Sequence, residues 1–373
     1  MNISDISGPV LDLVKNNRVI VTLGSGGVGK TTTSVALAVL GAMLGKKVGL
    51  LSIDPAKRLA DAMGIKLGSS LSKVEFAADS GVTGSVYGAM LDQKAVFDEM
   101  VEKWAPSQKV KDKIYANSIY KEVSANLGGP LEYMALAKLQ SMSEDKSFDL
   151  IVLDTPPDTH ALDFLQRPDA LSGFTDGGVM TWLIKPFYMA QKLGAGKLLK
   201  ASGRLMSGIS NVTGVKMLQL LSEFLVLMED VIKGFAVAGN QVSELLKSSD
   251  TSFILVAAPN NAAVRSAECL LDELGRNQFP LGGLFVNRCL ASDLEQSLAH
   301  FEHDPKAGNT PGVNLLLKKR DHGKDLLAKL KSHMERTFGD RTPMIKVEEH
   351  KQFIHSLESL LSFSHAVAGA AKI

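Results

Sequence analysis

A glycine-rich run ending in Lys30 and Thr31, together with two carboxylates that each close an apolar run, Asp54 and Asp154, supplies the residue types that phosphate chemistry needs. Gly24-Ser25-Gly26-Gly27-Val28-Gly29-Lys30-Thr31 fits the spacing G-x-x-x-x-G-K-[ST]. Glycines let successive backbone N–H groups converge on an anion, and a following helix N-terminus adds partial positive charge. Lys30 can reach the β- and γ-phosphates of a nucleotide, and the Thr31 hydroxyl is placed to ligate Mg²⁺. The candidate nucleotide contacts are therefore Gly24, Ser25, Gly26, Gly27, Val28, Gly29, Lys30, Thr31 and Thr32, with Lys30 also a candidate catalytic residue. A plain glycine turn with Lys30 as a solvated charge is the alternative, and the strand–loop–helix context argues against it. Asp154 is followed by Thr155-Pro156-Pro157, as the second acidic motif of such NTPases requires, and would hold the Mg²⁺ shell through water. Asp54 has two readings. It orients or deprotonates an attacking water, or it caps a helix whose first residue is Pro55.

These residues need elements to carry them. Val19 to Leu23 is a β-type run feeding the glycine turn, and Thr31 to Leu44 has a helical pattern. Strands are expected at Lys46–Ile53, Val86–Leu91, Asp149–Asp154, Ser252–Ala257, Leu281–Asn287 and near Pro343–Val347. Helices are expected after Asp54, at Lys94–Trp104, Leu131–Met142, Ala262–Leu274 and Lys318–Phe338, and at the C-terminal end. Residues 302–314 have the composition of an exposed loop. Alternating strands and helices predict an α/β fold with a doubly wound, mostly parallel sheet and ligands at the C-terminal strand edge. From about Arg167 to Leu246 the strands stop, and Met217, Leu220, Phe224, Met228 and Phe235 recur at helical spacing. The expected organisation is a P-loop nucleotide-binding domain over 1–166 and 250–373, interrupted by a helical subdomain at 167–249.

Composition narrows the class. The chain has 373 residues, 45% hydrophobic and 22% charged, enough for one extended core or two domains. Its net charge of +1 gives no global basic field, so no nucleic acid is expected as a partner. Cys269 and Cys289 cannot form a disulfide scaffold and read as ordinary buried thiols of a reducing compartment. The N-terminal stretch carries Asp5 and Asp12 and lacks an apolar leader, and no run is long enough to span a membrane. The expected location is cytoplasmic, with any membrane role peripheral.

The glycine loop, Asp54-Pro-Ala-Lys-Arg-Leu-Ala-Asp-Ala-Met63 and Asp154-Thr-Pro-Pro-Asp-Thr-His-Ala-Leu-Asp-Phe-Leu165 together resemble the arsenical-pump ATPases and their tail-anchored-protein-targeting relatives. The resemblance continues at Ala258-Pro259-Asn260 with Glu268, at Val286-Asn287, and at Pro343-Met344 with Glu348-Glu349, so it covers nearly the whole chain. It implies that the Asp54 segment is switch I, with its carboxylate acting on the hydrolytic water, and that the Asp154 segment is switch II. It also implies that Asn287 reads the adenine ring, which the Pro343-Met344 segment lines. ATP and Mg²⁺ are the implied cofactors, with a homodimer or a heterodimer with a related ATPase subunit as the assembly.

The departures bear on mechanism. Ser25 stands where the family usually has a Lys that reaches the partner's nucleotide, and Lys57 or Arg58 would have to replace that charge. Asp163 stands where an Arg is common, and Asn260 replaces a frequent carboxylate, while His160 keeps its place. A C-x-x-C pair is lacking, so neither a zinc clamp nor an arsenite site is expected. Between Gly177 and Ser222 there is no Asp or Glu, whereas Lys185, Lys192, Lys197, Lys200, Arg204 and Lys216 are basic, among apolar residues that include Met180, Trp182 and Met189. That segment is either a site for a hydrophobic helical client or an anionic membrane surface, or a set of helical faces packed on one another. The expected function is a Mg²⁺-dependent ATPase that couples hydrolysis to dimer opening and closing and to handling of a hydrophobic or membrane-associated client. The alternatives are a partitioning or division-site type ATPase and a nucleotide-gated scaffold with little turnover.

Overall fold

The computed structural model describes residues 3, 7–53, 68, 70–126, 131–156, 213–302, 310–350 and 354–373. The first helix, α1 (Pro9–Asn16), starts with Pro in its first turn and buries Val10, Leu11 and Val14. Strand β1 (Val19–Leu23) is buried throughout and delivers the chain to the glycine loop. Helix α2 (Lys30–Met43) is apolar nearly all round, which explains why almost all its residues are buried. Then come β2 (Lys47–Ser52), β3 (Ser72–Lys73), β4 (Ser85–Met90), and the helices α3 (Gln93–Trp104), α4 (Gln108–Ala116), α5 (Ser118–Asn126) and α6 (Leu131–Glu144). Strand β5 (Leu150–Asp154) and the long helix α7 (Thr213–Lys247) follow. The C-terminal part runs β6 (Thr251–Ala257), α8 (Asn261–Arg276), β7 (Leu281–Cys289), α9 (Ser292–Glu302), α10 (Pro311–Phe338), β8 (Met344–Glu348), α11 (Leu357–Ala368) and β9 (Ala371–Lys372).

The strands form one sheet in the order β3-β4-β2-β5-β1-β6-β7-β8-β9. Neighbours from β4 to β8 are parallel, and only the two-residue edge strands β3 and β9 run antiparallel. Both edges are short and carry a lysine, Lys73 and Lys372, which discourages further strand pairing. From β1 the chain first builds outward through β2 and β4, and later extends the sheet on the other side through β6, β7 and β8. The loop after β1 therefore lies where the strand order reverses, the crevice in which open α/β sheets bind ligands. This is the doubly wound, mostly parallel α/β fold expected of the sequence.

Alternate strand residues Ile20, Val48, Leu50, Val152, Ile254 and Phe285 join α1, α2 and α11 in one core cluster. Their neighbours Val21, Leu51, Leu153, Leu255 and Leu284 are also buried, so both faces of the sheet are covered. Two covered faces explain the continuous apolar runs of these strands.

The chain divides into two compact units. One takes the described residues of Met1–Leu91, Ser141–Asp163 and Glu244–Ile373, and the other those of Asp92–Gln140 and Phe164–Ser243. Within the second unit, the Tyr115 and Tyr120 hydroxyls donate to Glu102 and Asp98 of α3 at 2.8 Å each, and burial raises both tyrosine pKa values. Lys138 of α6 pairs with Glu99 at 2.6 Å, and Gln140 bonds Gln241 of α7 at 3.2 Å. The Trp104 ring lies against Phe235, 6.4 Å between centroids. Among the described residues no helix is long and apolar enough to cross a membrane.

The end of the expected loop at 302–314 is helical instead. Thr310 and Pro311 open α10, because Pro at the first helical position has its φ already set and needs no N–H partner there.

Candidate functional site

The loop after β1 has a backbone that only glycine accommodates at its two tightest points. Gly24 has φ +149°, and a Cβ there would stand 2.2 Å from the Val256 carbonyl of β6. Gly29 is left-handed, φ +95°, and a Cβ there would meet the Asn287 amide at 2.2 Å. Val28 between them is buried and anchors the loop in the core, while Gly26 and Gly27 are exposed. The loop then enters α2, so its N–H groups and the helix N-terminus meet at one place. Lys30 is buried to 6% exposure, and its ammonium donates to the Ser25 carbonyl at 3.0 Å, folding back over the loop.

Asp154 is brought to the same place by the sheet. It ends β5, with Thr22 of β1 and Ser52 of β2 as its register partners on either side. Its side chain is fully buried, and its Oδ2 accepts from the Thr31 hydroxyl at 2.8 Å and the Ser52 hydroxyl at 2.9 Å. Oδ1 lies 3.1 Å from the Ser34 hydroxyl, which is itself 2.7 Å from that of Thr22. Thr155 donates to the Thr22 carbonyl at 2.7 Å, tying the start of the next segment to β1. Burial pushes the Asp154 pKa up, against the hydrogen bonds from Thr31 and Ser52, the charge of Lys30 and the bond from Ser34. A carboxylate held in such a place gains from a cation. Thr31 and Asp154 offer only hard oxygen donors there, which fits Mg²⁺ rather than a thiophilic metal.

A loop, a lysine and a buried carboxylate in this arrangement make a candidate phosphate site at the switch point of the sheet. A family model described as anion-transporting ATPase matches residues 17–307, the greater part of the chain. The chain belongs to the anion-transporting ATPase family. The curated ATPase GET3 of Rhodotorula glutinis is 29% identical over 278 residues, covering 74% of this chain and 71% of that protein. The ATPase get3 of Aspergillus terreus is 28% identical over 293 residues, with 77% and 78% covered. The ATPase ASNA1 homolog 1 of Paramecium tetraurelia is 26% identical over 288 residues, with 76% and 80% covered.

In this P-loop ATPase the structure brings Gly24 to Thr32, Asp154 and Asn287 together. Asn287, near the end of β7, is buried and donates from Nδ2 to the Val28 carbonyl at 3.0 Å. Pro343 and Met344, the expected lining of the adenine, stand at the entry to β8. The Pro343 carbonyl accepts from Leu284 N–H, the Met344 carbonyl accepts from Ile373 N–H, and Met344 is 1% exposed. Both residues are committed to the start of β8 and its sheet partners. The end of β8 is instead the open part of that segment, where Glu348, Glu349 and His350 line a cavity with Ser292 and Asp293.

Asp54, Lys57, Arg58, His160, Asp163 and the basic and methionine positions from Met180 to Arg204 lie outside the described residues, and nothing of the Lys216 side chain is described. Asn260, where the family often has a carboxylate, caps α8 by accepting from Ala263 N–H at 2.9 Å. Glu268 pairs with Lys329 at 3.1 Å. The cysteines differ from expectation in one case: Cys289 is buried, with its thiol pushed up to about 12 by burial, but Cys269 is exposed on α8.

Sequence reasoning missed Thr22, Ser34 and Ser52, the hydroxyls around Asp154. A signal existed for two of them. Ser34 is one helical turn after Lys30, and Ser52 is the last strand residue before the Asp54 segment.

Proposed function

We propose that this ATPase hydrolyses Mg²⁺-bound ATP and uses the cycle to open and close a dimer that handles a hydrophobic helical or membrane-associated client. The observation that carries the nucleotide part is the Asp154 carboxylate, buried and tied to Thr31 of the loop at 2.8 Å. The loop N–H groups bind the phosphates and Lys30 balances their charge. Thr31 and Asp154 would hold Mg²⁺, directly and through water, and the ion neutralises charge on the phosphate oxygens when bound. Asp54 is assigned the orienting of the attacking water, following the family's switch I.

The client part rests on the composition of the expected insertion. Its segment 177–222 has no acidic residue and six basic ones, where an ordinary soluble surface mixes both signs. We assign client or membrane handling to the insertion 167–249 and the ATPase chemistry to 1–166 and 250–373. The second compact unit also draws in Asp92–Gln140, so movement at the client site would involve α3 to α5 and most of α6 as well. Ser25 favours one other reading, a nucleotide-gated scaffold with little turnover, because the charge usually offered to a partner's nucleotide is missing.

Phosphate release from Mg²⁺-ATP by the purified chain tests the assignment. Lys30→Ala should weaken ATP binding, while Asp54→Asn should keep binding and slow hydrolysis by about 100-fold or more, the scale of a lost general base. Wild-type hydrolysis in Asp54→Asn with a lowered melting temperature would leave Asp54 as a helix cap. A wild-type chain that binds ATP without releasing phosphate would favour the scaffold.

A further inference from the structure

Asn287 is built into the glycine loop by its backbone, its burial and both ends of its amide. Strand β7 departs from regular pairing where Asn287 sits, with its register to β8 shifting between Val286 and Cys289. Arg288 has φ +57°, a left-handed conformation uncommon for a residue with a side chain. Irregularities of this kind re-aim a side chain, and here the strand turns Asn287 toward the loop. Both ends of its amide are engaged: Oδ1 accepts from the Arg288 N–H at 2.9 Å, and Nδ2 donates to the Val28 carbonyl at 3.0 Å. Asn287 is 7% exposed, and the missing Cβ of Gly29 leaves the room that its Nδ2 fills.

The peptide unit between Val28 and Gly29 is trans and planar, so its N–H points opposite to its C=O. Fixing the Val28 carbonyl on Asn287 therefore aims the Gly29 N–H at the other side of the loop, where a phosphate would lie. We infer that Asn287 is a positioning residue for the phosphate loop: by holding the Val28 carbonyl it orients the Gly29 N–H toward the bound phosphates. The inference rests on the reading of Gly24–Thr31 as a phosphate site and adds a role to the base-reading one implied by family resemblance.

The two roles separate on ligands with and without a base. Calorimetric binding of ATP and of inorganic triphosphate, both with Mg²⁺, is measured for the wild type, Asn287→Ala and Asn287→Leu, alongside melting temperature. Leucine keeps the volume without a donor, so it decides the matter if the alanine variant does not fold. A loop positioner loses affinity for both ligands alike, by about tenfold for one lost buried hydrogen bond. Triphosphate affinity within twofold of wild type in a folded variant overturns the inference, whether or not ATP binding falls. So does a wild type that binds ATP but no inorganic triphosphate. A wild type that binds neither ligand overturns the nucleotide reading itself.

Discussion

At the scale of single residues, the site depends on hydroxyls that satisfy a buried charge. Asp154 is out of water, and a carboxylate there is costly unless donors surround it. Thr31, Ser34 and Ser52 supply them from α2 and β2. Ser52 is the informative one, because it shares Oδ2 with Thr31 and ends the strand that leads to Asp54. It bonds the carboxylate from a strand outside the glycine loop. Ser52→Ala should raise the Mg²⁺ concentration for half-maximal hydrolysis about tenfold, the lower range for loss of an outer-shell partner, and Ser52→Thr should restore most of it. An unchanged Mg²⁺ dependence in a folded Ser52→Ala chain would show that Thr31 and Ser34 suffice. Motif spacing could locate Lys30, Thr31 and Asp154, since each belongs to a pattern with a fixed chemical purpose. It could not rank the serines, whose importance comes from the β1-β2-β5 register and not from neighbours in sequence.

At the scale of elements, burial decides what could be foreseen. The central strands are covered on both faces, so they stand out as apolar runs, and the expected bounds of β2, β4, β5, β6 and β7 lie within two residues of those found. The two-residue strands β3 and β9 carry too little sequence to signal themselves. The Pro343-Met344 segment was legible as a strand, but its sheet partners were not. Only pairing with Leu284 and Ile373 shows that its start belongs to the sheet and that its end at Glu348 faces the cavity. In the helical unit the decisive contacts are also non-local. A Cβ at Gly234 of α7 would lie 2.3 Å from the Trp104 ring of α3. Gly234→Ala gains about 1 kcal/mol of helix propensity but forces the packed ring aside, at about 1–3 kcal/mol. We expect a net loss of stability, with the melting temperature lowered in denaturation followed by tryptophan fluorescence and circular dichroism. In a Trp104→Ala background the same substitution should stabilise. A Gly234→Ala chain more stable than wild type with Trp104 in place would contradict the close packing.

At the scale of the whole molecule, the proposed function requires that the nucleotide state be communicated to a client-binding region. The path is covalently short: β5 ends at Asp154, and the chain continues through Thr155, fixed to the Thr22 carbonyl, toward the insertion. In the proposed cycle, a change in occupancy beside Asp154 would act on the segment that leads to 167–249. With Ser25 at the usual lysine position, we propose that dimer closure depends on Lys57 or Arg58. The most direct test is light scattering coupled to size exclusion, run on the full chain with a fluorescent apolar helical peptide, in ADP and in non-hydrolysable ATP with Mg²⁺. The account predicts a mass corresponding to two chains and co-eluting peptide with the ATP analogue, and reduced peptide binding with ADP. A single-chain mass with equal peptide binding in both nucleotides would contradict it.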